Sequence, residues 1–255
     1  VHWYNIMGRI FKNTFSQIAK DENQKKSFTK PTENTASKIG TLVHSFAENA
    51  TKFAVNPDGE TAYKESLSLI NRAIYLGVKI RINSLIKNIT DEDAKNGLGT
   101  PRFLSEVTIF DNTLVWYDAD GKKHTGGAAG TIDLLVVHTD GSVSIYDFKT
   151  SKYDTMNAKS LAIYDRQLSL MKQTLAKGIP MYGLEPITKF KKTRLIPIKV
   201  SYAKNKTTGE IELSNATFAN DQIPVAGEST GNKSLDDKLK DWTNKLNNML
   251  KHQYD

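Results

Sequence analysis

The residues best suited to chemistry are Asp133, Asp147 and Lys149, within Gly130-Thr-Ile-Asp133 and Asp147-Phe-Lys149. Both acids lie in apolar runs, Ala129 to His138 and Ser142 to Ser151, whose Ile, Leu, Val and aromatic content predicts strands. Thr139-Asp140-Gly141 between them reads as a hairpin turn. With a three-residue loop and Gly141 left-handed, His138 pairs with Ser142 and Asp133 falls opposite Asp147. Opposed Cβ atoms on antiparallel strands are roughly 4.5–5.5 Å apart, close enough for two carboxylates to share one cation. Side chains two apart face the same way, so Lys149 points into the same space as Asp147. Without a ligand the carboxylates repel, and one is expected to hold a proton at neutral pH. A divalent metal would remove that conflict. The other reading of these residues is a strand-edge salt bridge from Lys149 to either aspartate.

The elements that must position this trio flank it. Ala36 to Phe53 carries Ile39, Val43, Phe46 and Ala50 at helical spacing, with His44 beside that stripe. A helix from about Asn157 to Lys177 has Leu161, Tyr164, Leu168, Met171 and Leu175 on one face, with Gln167 at its margin. Lys177-Gly178-Ile-Pro180 ends it with a cation, a C′ glycine and a proline. Upstream, Phe103 to Phe110 alternates as a strand containing Glu106, and Leu114 to Tyr117 continues it as a hairpin arm after Asp111-Asn112. Thr193 to Tyr202 predicts a late strand, and Pro197 within it predicts an edge position. This order of elements is an α/β pattern around a mixed sheet.

Here the chain resembles a known family. G-T-I-D followed by I-Y-D-F-K-T-S is similar to motifs II and III of the PD-(D/E)xK nuclease superfamily, in its RecB-like branch. That branch has a helical histidine in the pattern I-G-x-x-x-H, matched by Ile39-Gly40-Thr-Leu-Val-His44. It also has a Q-x-x-x-Y helix after motif III, matched at Gln167, with Met171 in place of the tyrosine. The resemblance spans about residues 36 to 178. It implies a restriction-endonuclease-like core, an α/β fold with a central mixed β-sheet flanked by helices. It further implies Mg²⁺ or Mn²⁺ held by His44, Asp133, Asp147 and the Phe148 backbone carbonyl, with Glu106 as an additional candidate. A histidine ligand tilts such a site toward Mn²⁺. Asp133, Asp147, Lys149 and Gln167 would form the catalytic set, hydrolysing phosphodiester bonds of nucleic acid, with DNA favoured. Two other functions suit the same residues: an inert nuclease-fold module for binding or assembly, and an RNA endonuclease of cap-snatching type.

Composition agrees. The 255 residues carry a formal charge of +7, which suits a polyanionic partner. The absence of cysteine excludes thiolate metal sites, disulfides and thiol catalysis, and is compatible with a reducing compartment. There is no apolar run long enough to span a membrane, so an intracellular, cytoplasmic protein is expected, in a bacterial host if phage-encoded. Lys122, Lys123, Lys152, Lys191, Lys192 and Arg194 are the candidate nucleic-acid contacts. The Gly126-Gly127 pair is followed by no G-K-[ST], which excludes a phosphate loop.

Three regions are expected. Residues 1–35 form a helical arm and linker, 36–203 the nuclease-like core, and 204–255 a polar linker and an amphipathic helix. A small hairpin is expected around Thr208-Gly209. The N-terminal aromatic patch (Trp3, Tyr4, Phe11 and Phe15 within it) and the C-terminal helix are candidate contacts for the core or a partner protein. The opening Val1 suggests a processed product or excised segment, of phage or mobile-element origin.

Overall fold

The computed structural model describes residues 4–6, 8–11, 13–20, 31–117, 120–151, 156–179, 185–219, 221–228 and 237, and for 31–34 the backbone alone. At its centre is the hairpin of β6 (Ala128–Val137) and β7 (Val143–Ser151). Val137 pairs with Val143 and Leu134 with Tyr146. Gly141 closes the loop at φ 83°. The His138 N–H donates to the Ser142 carbonyl at 2.9 Å, and the Gly141 N–H to the His138 carbonyl at 3.0 Å. Asp133 and Asp147 lie next to the last paired residues, Leu134 and Tyr146, and interact with each other.

β3 (Arg102–Asp111) lies antiparallel on the far side of β6. α5 (Ala158–Lys177) carries the chain across to β8 (Phe190–Lys204), which runs parallel to β7. A parallel neighbour requires such a crossover. The architecture is therefore the expected α/β restriction-endonuclease-like one, a central mixed sheet flanked by helices.

The expected edge position for Pro197 is not observed. β8 lies inside the sheet, with β9 (Ile211–Phe218) and β10 (Ile223–Pro224) sharing its outer side. Pro197 falls between their pairings: β10 meets Arg194 and Leu195, and β9 meets β8 from Ile198 onward. The Pro197 carbonyl accepts from the Ala219 N–H at 2.9 Å. Its missing N–H thus falls where no strand asks for a donor, which reconciles proline with an interior strand. Residues from 204 onward, expected as a polar linker, begin with the Thr208-Gly209 hairpin and extend the sheet as β9. The expected C-terminal helix, from Leu235 on, lies outside the described residues, Asp237 apart.

Two helical layers cover the sheet. On one face α2 (Pro31–Val55) buries Ile39, Val43, Phe46 and Ala50 against Leu134, Val136, Tyr146 and Phe148. Gly40 permits this approach, since a Cβ there would sit 3.1 Å from Thr150 Oγ1. α3 (Glu60–Ser66) and α4 (Leu69–Lys95) complete that layer. No element was expected between 54 and 102, although Ile74, Val78, Ile82, Leu85 and Ile89 of α4 have helical spacing and are buried. On the other face α5 buries Leu161, Leu168, Met171 and Leu175. Asn157 caps its start by accepting from the Ser160 N–H, and Gly178 at φ 74° ends it.

The described residues among the first twenty do not make the expected helical arm. They form a hairpin of β1 (Tyr4–Ile6) and β2 (Arg9–Phe11), then the short helix α1 (Phe15–Lys20). Phe11, Phe15 and Ile18 enter the same core as α5 and β6. The aromatic spacing that mimicked a helical period belongs to a strand pair and a helix in succession. Leu114 to Tyr117 also departs from expectation: only β4 (Trp116–Tyr117) is a strand there, and it pairs with β5 (Lys123–His124).

Candidate active site

At Asp133 the strand alternation breaks. Ile132 packs with the α5 layer and Leu134 with the α2 layer, although strict alternation would put both on one face. The break coincides with Glu106, opposite Asp133 on β3, whose φ of 53° is rare outside glycine. Pairing is interrupted there, between Ser105↔Leu134 and Val107↔Ile132. Glu106, Asp133 and Asp147 thus gather at this break, where Asp147 interacts with each of the other two. Local backbone strain of this kind costs on the order of 1–3 kcal/mol and concentrates at functional sites.

The kinked register sets Asp133 beside a group of the α2 layer, while Lys149 meets the α5 layer. His44 Nδ1 of α2 lies 3.4 Å from Asp133 Oδ2, which also accepts the Phe148 N–H at 2.8 Å. The His44 ring meets that of Phe148 edge-on, with centroids 6.5 Å apart. Lys149 Nζ donates to Gln167 Oε1 of α5 at 3.1 Å and lies 4.4 Å from the Tyr164 ring centre. Lys149 Nζ also forms an ion pair at 2.8 Å with Asp147 Oδ2, a buried oxygen with no other partner among the described residues. The structure therefore brings together His44, Asp133, Asp147, Lys149 and Gln167, with Glu106 at the margin.

The electrostatics are those of a crowded acidic pocket with one internal cation. Burial, and then the Asp147 carboxylate, hold the Asp133 carboxyl well above the usual carboxylate range. Burial, then Glu48 and Asp147, push Glu106 up to about 7, while Lys52 opposes them. Burial pulls Lys149 down, but Asp147 and Asp133 outweigh it and leave its pKa raised. Burial lowers His44, which keeps its imidazole neutral and able to donate a lone pair.

No three His, Asp or Glu side chains among the described residues close into a ready-made metal cage. The donor set nevertheless fits a hard divalent cation. Magnesium is commonly held by one or two carboxylates with its remaining positions left to water and substrate phosphate. Two adjacent carboxylates provide that arrangement, and a cation would relieve their repulsion.

Five of the six expected nucleic-acid contacts lie among the described residues. Lys191 pairs with Asp140 at 3.5 Å, Lys192 with Glu92 at 2.6 Å, and Arg194 with Glu228 at 2.8 Å. In the β7–β8 register these residues accompany Val143 to Tyr146, the hairpin-tip end, rather than Lys149. Lys122 and Lys123 lie at the β4–β5 hairpin, where Trp116 stacks on His124 at 4.2 Å. Lys152 lies outside the described residues.

Sequence reasoning missed two neighbours of the site. One is Tyr164 as a platform for Lys149, which its place in the apolar stripe of α5 concealed. The other is the arm: Phe15 lies so close to Gly130 that a Cβ there would meet its ring at 2.6 Å. The glycine of G-T-I-D is therefore required by the arm, and Tyr4 Oη reaches Thr131 Oγ1 at 2.9 Å.

Residues 18–252 match the model of the PD-(D/E)XK nuclease superfamily. The comparison with curated proteins gives no match. No helix among the described residues is long and apolar enough to cross a membrane. With the match covering most of its length, and a mixed sheet carrying the two aspartates and the lysine on one hairpin, the chain belongs to the PD-(D/E)XK nuclease superfamily.

Proposed function

We propose that this nuclease-family chain is a divalent-metal-dependent phosphodiesterase of the RecB-like branch, acting on DNA, with Mg²⁺ or Mn²⁺ as its cofactor. The observation that carries the reading is the pairing of Asp133 with Asp147 beside Lys149, with His44 approaching from α2. Asp133, Asp147 and His44 would hold the cation, with the Phe148 carbonyl beside them and Glu106 as a further donor. A bound cation supplies Lewis-acid polarisation of the phosphate and a water of lowered pKa. Lys149, charged in the resting site, neutralises negative charge developing on the phosphate. Gln167 and Tyr164 hold the ammonium in place, so the cation is oriented before substrate arrives. Glu106, with a pKa of about 7, is able to take or release a proton at neutral pH. The RecB-like assignment is supported by His44 and Gln167, which reach Asp133 and Lys149 from opposite helical layers.

The test is incubation of the purified chain with end-labelled single- and double-stranded DNA, and with RNA, each with Mg²⁺ or Mn²⁺. Cleavage of DNA that needs the ion and disappears in Asp147→Ala supports the reading. Cleavage of RNA alone replaces DNA with RNA as the substrate. Binding without cleavage, unchanged in Asp147→Ala, would sink it in favour of an inert module.

A further inference from the structure

The arm that packs on Gly130 also walls off a pocket beside the candidate site. The pocket is a half-open cleft of about 300 Å³ between α1, the start of β6 and α5. Tyr4, Ser16, Gln17, Thr131 and Gln167 give it neutral hydroxyl and amide groups, and the exposed Lys20 adds a cation. Gln167 belongs to both places, since the oxygen that accepts from Lys149 is on a side chain lining this pocket. The outer wall is anchored. The Ala129 N–H donates to the Asn13 carbonyl at 3.1 Å, Asn13 Nδ2 donates to the Gly127 carbonyl at 3.1 Å, and Phe11, Phe15 and Ile18 are buried.

We infer that this pocket binds one nucleotide at a strand terminus, so that the chain trims nucleic acid from an end. The inference rests on the proposed nuclease reading and adds its substrate geometry. The volume is at the low end for small-molecule sites, which span roughly 300–1,000 Å³, and suits a single nucleotide unit rather than a duplex. Neutral hydroxyls and amides match a sugar and a base edge, and one lysine matches one phosphate. A strand end reaching from Lys149 into this pocket would abut the anchored arm, as an end-directed enzyme requires. An internal cutter needs an open groove on both sides of the site.

Two measurements decide it. The first compares cleavage of a linear single strand with a covalently closed circle of the same sequence, using the full chain, Ser16→Trp to fill the pocket, and Lys20→Glu at its exposed rim. The expected result is cutting of the linear strand about tenfold or more faster than the circle, a preference that Ser16→Trp abolishes. Lys20→Glu is expected to slow the linear substrate about three- to tenfold and leave folding intact. Equal rates on line and circle, or wild-type product lengths in both variants, would overturn the inference. The second titrates deoxyadenosine 5′-monophosphate into the metal-free chain and follows the Thr131 and Gln167 amide resonances. Shifts that Lys20→Glu weakens support the pocket even if no strand is cleaved, and unmoved resonances count against it. Absence of all cleavage beside positive titration would therefore sink the nuclease reading and keep the subsite.

Discussion

At each end of one hairpin a histidine meets an aspartate, one of the two supplied by a helix, and the two ends are built in opposite ways. At the tip, His138 Nδ1 lies 2.5 Å from Asp93 Oδ2 and its Nε2 lies 2.8 Å from Ser144 Oγ. Ser144 Oγ in turn accepts the Lys192 N–H at 3.2 Å. All three side chains are buried, and both ring nitrogens have partners. At the other end, His44 is 3.4 Å from Asp133, two carboxylates crowd together, and Asp147 Oδ2 has no partner but the Lys149 ammonium among the described residues. A satisfied buried network specifies a fold, whereas one left short of a partner costs stability and awaits a ligand. The Asp93-His138-Ser144 set has the composition of a hydrolytic triad, yet it fastens α4 to the hairpin. Residue types alone would not have told these two ends apart.

The largest expected effect comes from Asp147→Asn. Cleavage falls by about 10²-fold or more. Thermal stability changes far less, because the lost pair with Lys149 is offset by relief of the Asp133–Asp147 repulsion and Asp133 remains beside Lys149. Measured unfolding midpoints and rates must separate in this way, and a variant that loses its fold would break the contrast. Asp93→Asn should do the reverse. It weakens a buried hydrogen bond to a charged group, lowering stability by about 1.5–3 kcal/mol in urea titration while the cleavage rate per folded molecule is kept.

A smaller effect is expected at the arm. Gly130→Ala drives a methyl into the ring of buried Phe15, at a cost of about 1–3 kcal/mol. Combining it with Phe15→Leu should recover part of that loss, and an unchanged loss would show that the two residues are not coupled. The smallest effect tests a satisfied cluster far from the hairpin. Glu60 bonds to Lys79, with Lys64 nearby at 3.7 Å, and the Lys79 ammonium is the main reason its pKa is lowered. A carboxylate depressed by folding adds stability above its unfolded pKa, and that stability is lost as pH falls through the folded value. Glu60→Gln should therefore cost about 1 kcal/mol at pH 7 and nothing once the pH is well below 4.5. Parallel stability curves for the two proteins from pH 7 down to pH 3 would contradict this.

How much was legible differs by element. The hairpin was readable because its register depends on a short loop, one left-handed glycine and a period of two, all local. Helices α2 and α5 were readable from their apolar spacing, as α4 would have been. Pro197 misled because its conformational rule concerns a missing donor, and whether a donor is needed depends on where β9 and β10 end. The acidic partners of Lys191, Lys192 and Arg194 were not readable, because Asp140, Glu92 and Glu228 reach them from distant parts of the chain.

By itself the amino-acid order set the opposition of Asp133 and Asp147, with Lys149 two steps on, since turn geometry and strand periodicity operate over a few residues. Only tertiary structure decided that His44 reaches Asp133, that Glu106 takes a left-handed backbone, and that the arm closes over Gly130. Those outcomes depend on contacts between residues far apart in sequence, where burial and close approach are settled by the whole fold rather than by any local preference.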